Sequence, residues 1–333
     1  MFVTDAEVRQ YVRLDAVMKA VKAAFIALGD GKSAIFPVAR GTGTDPTHFF
    51  GVKSGRDGAS GFLGVKAGSY NPANVARGGA AHTSTTMLFD DRTGALVGVV
   101  EANHLNGLRT AAANGVATDL LARRDAHILG VIGLGAQAEH EIDAVLAVRP
   151  ITRILAATRT AGRSREFAER VAAKTGLSVE LANAEHVVRR SDIVLTVTPA
   201  TDPVLEAEWV QPGTHISAMG ADNSGKQELP VDLFSRASLF VDHAPQAAVI
   251  GEAQHLVSLG LTTVERLAQR AIGTLLAENR AGRRSADEIT VFDSSGLSIQ
   301  DIAAAAAALD IVQRSRAFGG PLPLHPDGDW SHG

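Results

Sequence analysis

The sequence predicts an α/β protein in which a doubly wound parallel sheet is joined to a discontinuous α+β domain. Three observations carry this. From residue 128 onward, apolar runs of strand length alternate with helical or turn segments, as in a parallel sheet with crossover helices. Residues 35–101 instead cluster short β-type runs broken by turns, the texture of antiparallel strands. The Ala-rich helical stretch Gln300–Arg314 comes after the last apolar run, so it is free to return to the first domain. The expected division is therefore residues 1–118 with 300–333 against residues 119–299.

Taken in order, residues 5–30 read as helical, with Asp5 as a cap and an apolar stripe through Val17, Val21, Ala24, Phe25 and Leu28. Strands are expected at Ile35–Val38, Phe49–Lys53, Phe62–Ala67, Thr85–Phe89 and Ala95–Val100, the last two joined by the hairpin loop Asp90-Asp91-Arg92-Thr93-Gly94. A helix over residues 109–123 leads into the segment Ile128–Arg163, and further strands fall at Asp192–Thr198, His215–Met219, Leu239–Val241 and Ile289–Phe292. The alanine run 303–308 predicts close helix packing, and the Pro/Gly-rich tail after Gly319 predicts loose order.

Composition narrows the class. The chain has 333 residues, 45% of them hydrophobic, enough for two cores. No apolar run approaches the roughly 20 residues of a membrane helix, and the first residues lack the pattern of a signal peptide. With no cysteine, thiolate chemistry and disulfides are excluded. A net charge of -4 with interspersed signs argues against a nucleic-acid partner. The 11 histidines show no close paired spacing, so no metal site is expected. A soluble cytoplasmic protein is the expectation.

The segment Ile128–Arg163 carries the first chemistry. An apolar strand meets Gly133-Leu-Gly135-Ala136-Gln137-Ala138, then a helix, then a second strand ending Ala157-Thr158-Arg159-Thr160. That order cradles a dinucleotide pyrophosphate. Gly133 allows the tight turn, Gly135 lets backbone approach the phosphates, and Ala138 lets the helix pack closely. The helix N-terminus offers free N–H groups to the anion. In NAD sites an acidic residue near the end of the second strand takes the ribose 2′-hydroxyl. Here that end carries Thr158, Arg159 and Thr160, with Arg163 close behind and no Asp or Glu. Guanidinium groups there suit a 2′-phosphate, so NADP(H) is expected in preference to NAD(H).

Four further segments place charged groups beside strands and glycines: Phe36-Pro37-Val38-Ala39-Arg40, Leu63 to Asn71 with Lys66 and Tyr70, Leu108-Arg109-Thr110 at a helix start, and Ala218-Met219 to Leu229 with Asp222. Asp222 follows a strand of the nucleotide fold, at the end where ligands of open α/β sheets bind. Each charge alone is as readily a surface ion-pair group or turn former.

Together with Gly133 to Gln137 and Val291-Phe-Asp-Ser-Ser295-Gly296, these segments resemble the ornithine cyclodeaminase/mu-crystallin family over most of the chain, from about Phe36 to about Asp301. The Arg40, Lys66-Ala-Gly, Gly225-Lys-Gln-Glu-Leu229 and Ile250 to His255 motifs look most like its iminosuccinate/ketimine reductases. The resemblance implies that Arg40 and Arg109 clamp a substrate carboxylate and that Lys66 holds it or assists proton transfer. It implies that Asp222 is the acid/base at the substrate nitrogen, and that His82, Thr110, Val197 and Thr198 line the cofactor, to which Met219, Ser295 and Gly296 are added. Tyr70, Asn71, His82 and Phe292 would shape the rest of the pocket. It also implies a homodimer joined through the sheets of the first domain. Mu-crystallin-like members carry serine where this chain has Asp222, whereas cyclodeaminases and alanine dehydrogenases carry aspartate. The resemblance thus points to an NADPH-dependent reductase of a small 2-imino acid. A cyclodeaminase-type ammonia lyase, an alanine-dehydrogenase-like enzyme and a dinucleotide-dependent binding protein remain as alternatives.

Overall fold

The structure, a computed structural model, describes residues 1–159, 162 and 164–317. Thr160, Arg163 and the tail after Gly319, each with an expectation attached, lie outside the described residues.

The first sheet is built by β1 (Phe2–Val3), β2 (Ala34–Ile35), β3 (Ala39–Thr42), β4 (Phe49–Asp57), β5 (Phe62–Tyr70), β6 (His82–Asp90) and β7 (Leu96–Glu101). Its order is β1-β7-β6-β5-β4-β2, with β3 also on β4, and all pairs are antiparallel except β1 with β7. Between these strands lie α1 (Asp5–Tyr11), α2 (Leu14–Gly29) and α3 (Ala73–Ala76), and α4 (Asn103–Leu121) follows.

Three local expectations need correction. The helix over 5–30 is two helices, and Thr4 rather than Asp5 caps the first. Thr4 and Glu7 form a reciprocal capping box, which places Asp5 inside the first turn. The expected strand Ile35–Val38 divides into β2 and β3 around Pro37, which has no N–H to give to a ladder. Finally, α4 begins at Asn103, so Arg109 sits inside a helix rather than at its start.

The second sheet is wholly parallel, in the order β10-β9-β8-β11-β12-β14-β13. Its strands are β8 (Ile128–Ile132), β9 (Arg153–Ala157), β10 (Val179–Leu181), β11 (Ile193–Thr196), β12 (His215–Ala218), β13 (Ala237–Val241) and β14 (Ile289–Asp293). The three-residue β10, a partly exposed edge strand, was not anticipated. Helices α5 (Ala136–Leu146) and α6 (Ser164–Thr175) cover one face through Ile142, Phe167 and Val171 on Leu129, Val131 and Leu195. On the other face, α7 (Ala184–Arg190), α8 (Ala244–Ile250) and α9 (Ala253–Ser258) cover Leu155, Val194, Ile216 and Val291. Alternate strand residues thus feed opposite cores, as a doubly wound sheet requires. Two short helices, α10 (Val264–Ala268) and α11 (Ile272–Ala277), precede β14.

The last helix, α12 (Ser298–Ala317), returns to the first sheet and buries Ala303, Ala304, Ala305 and Ala308. Its close approach is built into both partners. A Cβ at Gly64 would stand 2.5 Å from Ile302 Cγ1, and one at Gly98 would stand 2.2 Å from Leu309 Cδ1. Meanwhile α4 passes from the first sheet to the second. The guanidinium of Arg149 donates to the carbonyls of Thr118, Asp119 and Ala122 at 2.9 Å each, satisfying carbonyls that the helix end leaves open. Among the described residues no helix is long and apolar enough to cross a membrane.

Candidate active site

A cleft of about 280 Å³ opens at the carboxyl ends of the parallel strands, the place where open α/β sheets bind ligands. The carboxyl ends of β11 and β12 present Val197, Thr198, Met219 and Gly220 to it, the loop after β14 presents Ser294, Ser295 and Gly296, and α4 presents Asn106, Arg109 and Thr110. Gln137 on α5 and Asp222 and Lys226 on the loop after β12 complete the rim. Sequence reading had singled out Arg109, Thr110, Gln137, Val197, Thr198, Met219, Asp222, Ser295 and Gly296, and the fold brings them to one cleft.

The glycine turn has the geometry that a pyrophosphate needs. Gly133 has φ 98°, and a Cβ there would lie 2.6 Å from the carbonyl oxygen of Val197, so both backbone and space demand glycine. Gly135 is the N-cap of α5 and no side chain caps this helix. A Cβ on Gly135 would meet nothing within 4 Å. The first turn of α5 therefore keeps N–H groups for an anion. Ala136 opens that turn in an exposed position and Ala138 is fully buried against the sheet. The Gln137 amide donates to the Gly107 carbonyl at 3.2 Å and to the Glu141 carboxylate at 2.6 Å. Glu141 is itself buried, and burial pushes its carboxyl up to about 7. Thr158 and Arg159 follow β9, with Arg159 exposed on the bend.

On the opposite side lies a buried cluster of cations. Lys66 Nζ is 3.0 Å from Asp301 Oδ1, and Arg109 Nε is 2.9 Å from the same oxygen. Lys66 also donates to the side-chain oxygen Oδ1 of Asn106, as does Arg109 Nη2 at 2.8 Å. Lys53 Nζ donates to the Gly296 carbonyl at 2.7 Å. Lys66 and Arg109 thus share one carboxylate, with Lys53 beside them on the Gly296 carbonyl, and Asp301 Oδ2 and Gln300 Nε2 are buried without a partner. Burial lowers Lys66 to about 7 against the pull of Asp301. Burial first, then the nearby Arg109 charge, holds Lys53 below the ordinary lysine range. Asp301 stays below the ordinary carboxylate range because the Arg109 and Lys66 charges outweigh its burial. Excess positive charge facing a cleft suits an anion.

Asp222 stands on the other wall, exposed, 2.6 Å from Lys226 Nζ. Arg40 lies outside the ring of cleft residues. Its Nη1 donates to Asn223 Oδ1 at 2.5 Å, and its guanidinium stands 5.9 Å over the Phe49 ring. Tyr70 and His82 face each other in register at the ends of β5 and β6, both exposed and neither lining the cleft, although His82 is near enough to Lys66, Arg109, Asp301 and Asp222 to feel their charges.

Three residues of the cleft, Lys53, Asn106 and Lys226, and Asp301 buried beneath Lys66 and Arg109, are not among the site residues expected from the sequence. Only the register of β4 on β5 reveals Lys53, which it sets directly opposite Lys66. Like charges opposed in a ladder are unfavourable and call for a shared anion. Behind the cleft, buried Asp242 accepts the N–H groups of Ser295 and Gly296 at 2.8 Å each, fixing the loop after β14.

The model of the ornithine cyclodeaminase/mu-crystallin family matches residues 1–315. The chain belongs to that family. Among its relatives, iminosuccinate reductase of Paracoccus denitrificans is 33% identical over 313 residues, covering 94% of this chain and 97% of that protein. A solved structure of iminosuccinate reductase from that organism in complex with NAD+ is similar with a TM-score of 0.89, at 32% identity over 95% of this chain and 97% of that one. Alanine dehydrogenase of Archaeoglobus fulgidus is 34% identical over 92% of both chains. Delta(1)-pyrroline-2-carboxylate reductase of Thermococcus litoralis, solved with NADH and L-proline, has a TM-score of 0.88 at 27% identity, over 97% of this chain and 100% of that one. The family match and these two structural likenesses span both sheets of the fold.

Proposed function

We propose that the chain is a cytoplasmic reductase that converts a small 2-imino acid (a ketimine) to the L-amino acid, with NADP(H) preferred over NAD(H). One observation carries this reading: the cleft sets the cations Lys53 and Arg109 on one wall and a carboxylate, Asp222, on another. A 2-imino acid has the matching pair of groups, an anionic carboxylate and a basic C=N nitrogen. The reduced nicotinamide supplies the hydride.

Arg109, with Lys53 beside it, binds the substrate carboxylate, while Lys66 behind them adds charge or exchanges a proton. Arg40, tied to Asn223 on the loop that carries Asp222, is the second member of the clamp. Asp222 holds the protonated nitrogen, which makes the adjacent carbon more electrophilic, and hands over the proton that the new amine keeps. Fixing the remote carboxylate aligns the imine carbon, and such alignment supplies much of the rate. Gly133, Gly135, Ala136 and Gln137 hold the pyrophosphate, and Arg159, aided by Thr158, Thr160 and Arg163, receives the 2′-phosphate.

We assign residues 1–118 and 300–333 to a substrate and dimerisation unit and residues 119–299 to the dinucleotide unit. The ends of β4 and β5 leave Phe49, Phe50 and Tyr70 at 38%, 47% and 49% exposure, an apolar edge suited to a second copy. An archaeal alanine dehydrogenase of this fold was solved as a dimer with bound NAD.

The test is a panel of 2-oxo acids with ammonia or methylamine, plus cyclic imino acids, followed by oxidation of NADPH and of NADH. Turnover with at least one imine is expected, faster with NADPH. No oxidation of either cofactor with any imine overturns the reading, and ammonia release from ornithine without net cofactor consumption replaces it with a cyclodeaminase.

A further inference from the structure

Glu228 is fully buried behind the cleft, and its side chain is surrounded by donors rather than cations. Its Oε1 accepts the Thr198 N–H at 2.7 Å and the Thr198 hydroxyl at 2.8 Å. Its Oε2 accepts the Gly220 N–H at 2.8 Å and the Thr196 hydroxyl at 2.9 Å. These donors belong to two neighbouring strands just where their ladder stops, since β11 ends at Thr196 and β12 at Ala218. Beyond those ends, the N–H groups of Thr198 and Gly220 need acceptors, and in an open cleft water would serve. A carboxylate serves them instead and fixes the spacing of the two strand ends. The backbone of Glu228 is held in turn, because Glu252 accepts the N–H groups of Glu228 at 2.7 Å and of Leu229 at 3.2 Å. Space is equally tight: a Cβ on Gly220 would lie 2.6 Å from the Glu228 carboxyl carbon.

Burying a carboxylate against uncharged donors is costly, so its position calls for a gain elsewhere. The residues it ties together, Val197, Thr198, Met219 and Gly220, form one wall of the cleft, with Asp222 two positions beyond. We propose that Glu228 is a positioning residue that locks the ends of β11 and β12 into a single rigid wall against the nicotinamide ring, setting the hydride-donor distance without touching cofactor or substrate. This rests on the reading that the cleft holds a nicotinamide.

The experiment compares wild type with Glu228→Gln, Glu228→Asp and Thr196→Val. Gln presents an amide N–H₂ to donors on one side. Val at Thr196 removes one donor from a site outside the cleft while keeping shape. In the cofactor-free protein, amide hydrogen exchange at Thr198 and Gly220 should quicken about tenfold or more in Glu228→Gln while Leu129, in the core of the same sheet, is unchanged. With cofactor, kcat should fall about 100-fold, as for a misplacement of order 1 Å. The cofactor Kd by fluorescence should move only a few-fold, and the isotope effect with C4-deuterated cofactor should rise. Thr196→Val should show the same pattern more weakly, and Glu228→Asp should recover part of kcat. Exchange that quickens equally at Leu129, or a lower kcat with an unchanged isotope effect, marks general loss of structure and overturns the proposal. So does unchanged exchange at Thr198 and Gly220. A wild type that turns over no imine instead overturns the functional reading, while the exchange result still decides whether Glu228 is the lock.

Discussion

Lys66 and Asp301 meet at 3.0 Å although 235 residues separate them, and the Asp301 oxygen that Lys66 touches also holds Arg109. This shared contact places a lysine that is about 7 in pKa next to the anion site. A lysine lowered this far is charged below about 7 and neutral above it, so the site loses one positive charge as pH rises through that value. The kcat/KM for the imino acid, which reports the free enzyme, should therefore fall on the alkaline side with an inflection near 7. Lys66→Met should lower kcat/KM and remove that inflection. A wild-type profile with no such limb would show that Lys66 does not govern binding.

Removing the shared anion tests the cluster from its other side. Asp301→Asn leaves Lys53, Lys66 and Arg109 facing one another without a buried counter-charge. Loss of one partner of a buried ion pair costs about 3–5 kcal/mol, so urea unfolding should shift accordingly. The Lys66 inflection should move to lower pH, since Asp301 is what raises it. Retention of both the stability and the inflection would contradict the geometry.

Gly133 and Gly135 should behave differently although they are two residues apart. Gly133→Ala forces a Cβ against the Val197 carbonyl at positive φ and should lower the melting temperature. Gly135→Ala meets no protein atom, so thermal stability should hold while cofactor affinity drops tenfold or more. Equal melting losses in both variants would argue against a phosphate approach at Gly135.

Asp222→Asn should reduce turnover by about 10²–10⁴-fold, the usual worth of a positioned acid/base group, with cofactor binding intact by fluorescence titration. Lys226→Met removes the partner at 2.6 Å and should lower kcat less. Arg159→Asp should move the ratio of kcat/KM values toward NADH, and an unchanged ratio would make that arginine ordinary surface.

Stability should also depend on pH through Glu252. Burial pushes its carboxyl up to about 9 from the usual 4.5, so between these values the native state holds a proton that the unfolded chain releases. Stability from this group is present below pH 4.5 and declines as pH rises toward 9, by at most about 1.4 kcal/mol per pH unit. Glu252→Gln cannot ionise. Its stability relative to wild type should improve steadily from pH 6 to 9 in urea titrations, and a constant difference would remove Glu252 as the cause.

Much of the fold was legible because periodicity is local. The alternation of Ile128–Ile132, the glycine turn and Ile193–Thr196 declared itself within short windows. So did Asp222, standing just past a strand end. What could not be read locally was the partnership of distant charges. Lys53 stood only at the end of the expected strand Phe49–Lys53 until the register set it opposite Lys66, and nothing near Asp301 in sequence names its partners Lys66 and Arg109. The burial of Glu228, visible in the sequence only as part of the Gly225–Leu229 motif, and of Asp242 was equally silent, since a buried carboxylate is recognisable only from the N–H groups that fold around it. The start of α1 after Thr4 and the split at Pro37 did have local signals, the Thr4-to-Glu7 capping box and the proline itself.

The placement of β14 between β12 and β13 sets an order of assembly. During synthesis β12 and β13 emerge before the strand that must lie between them, so neither can take the other as a lasting neighbour. The gap stays open until about fifty residues after β13 have left the ribosome. The same late segment delivers Ser295 and Gly296, then Asp301, the counter-ion of Lys66. A nascent chain ending before residue 289 would have its glycine turn and no finished anion site. Both walls of the cleft thus wait on the last quarter of the chain for their completion.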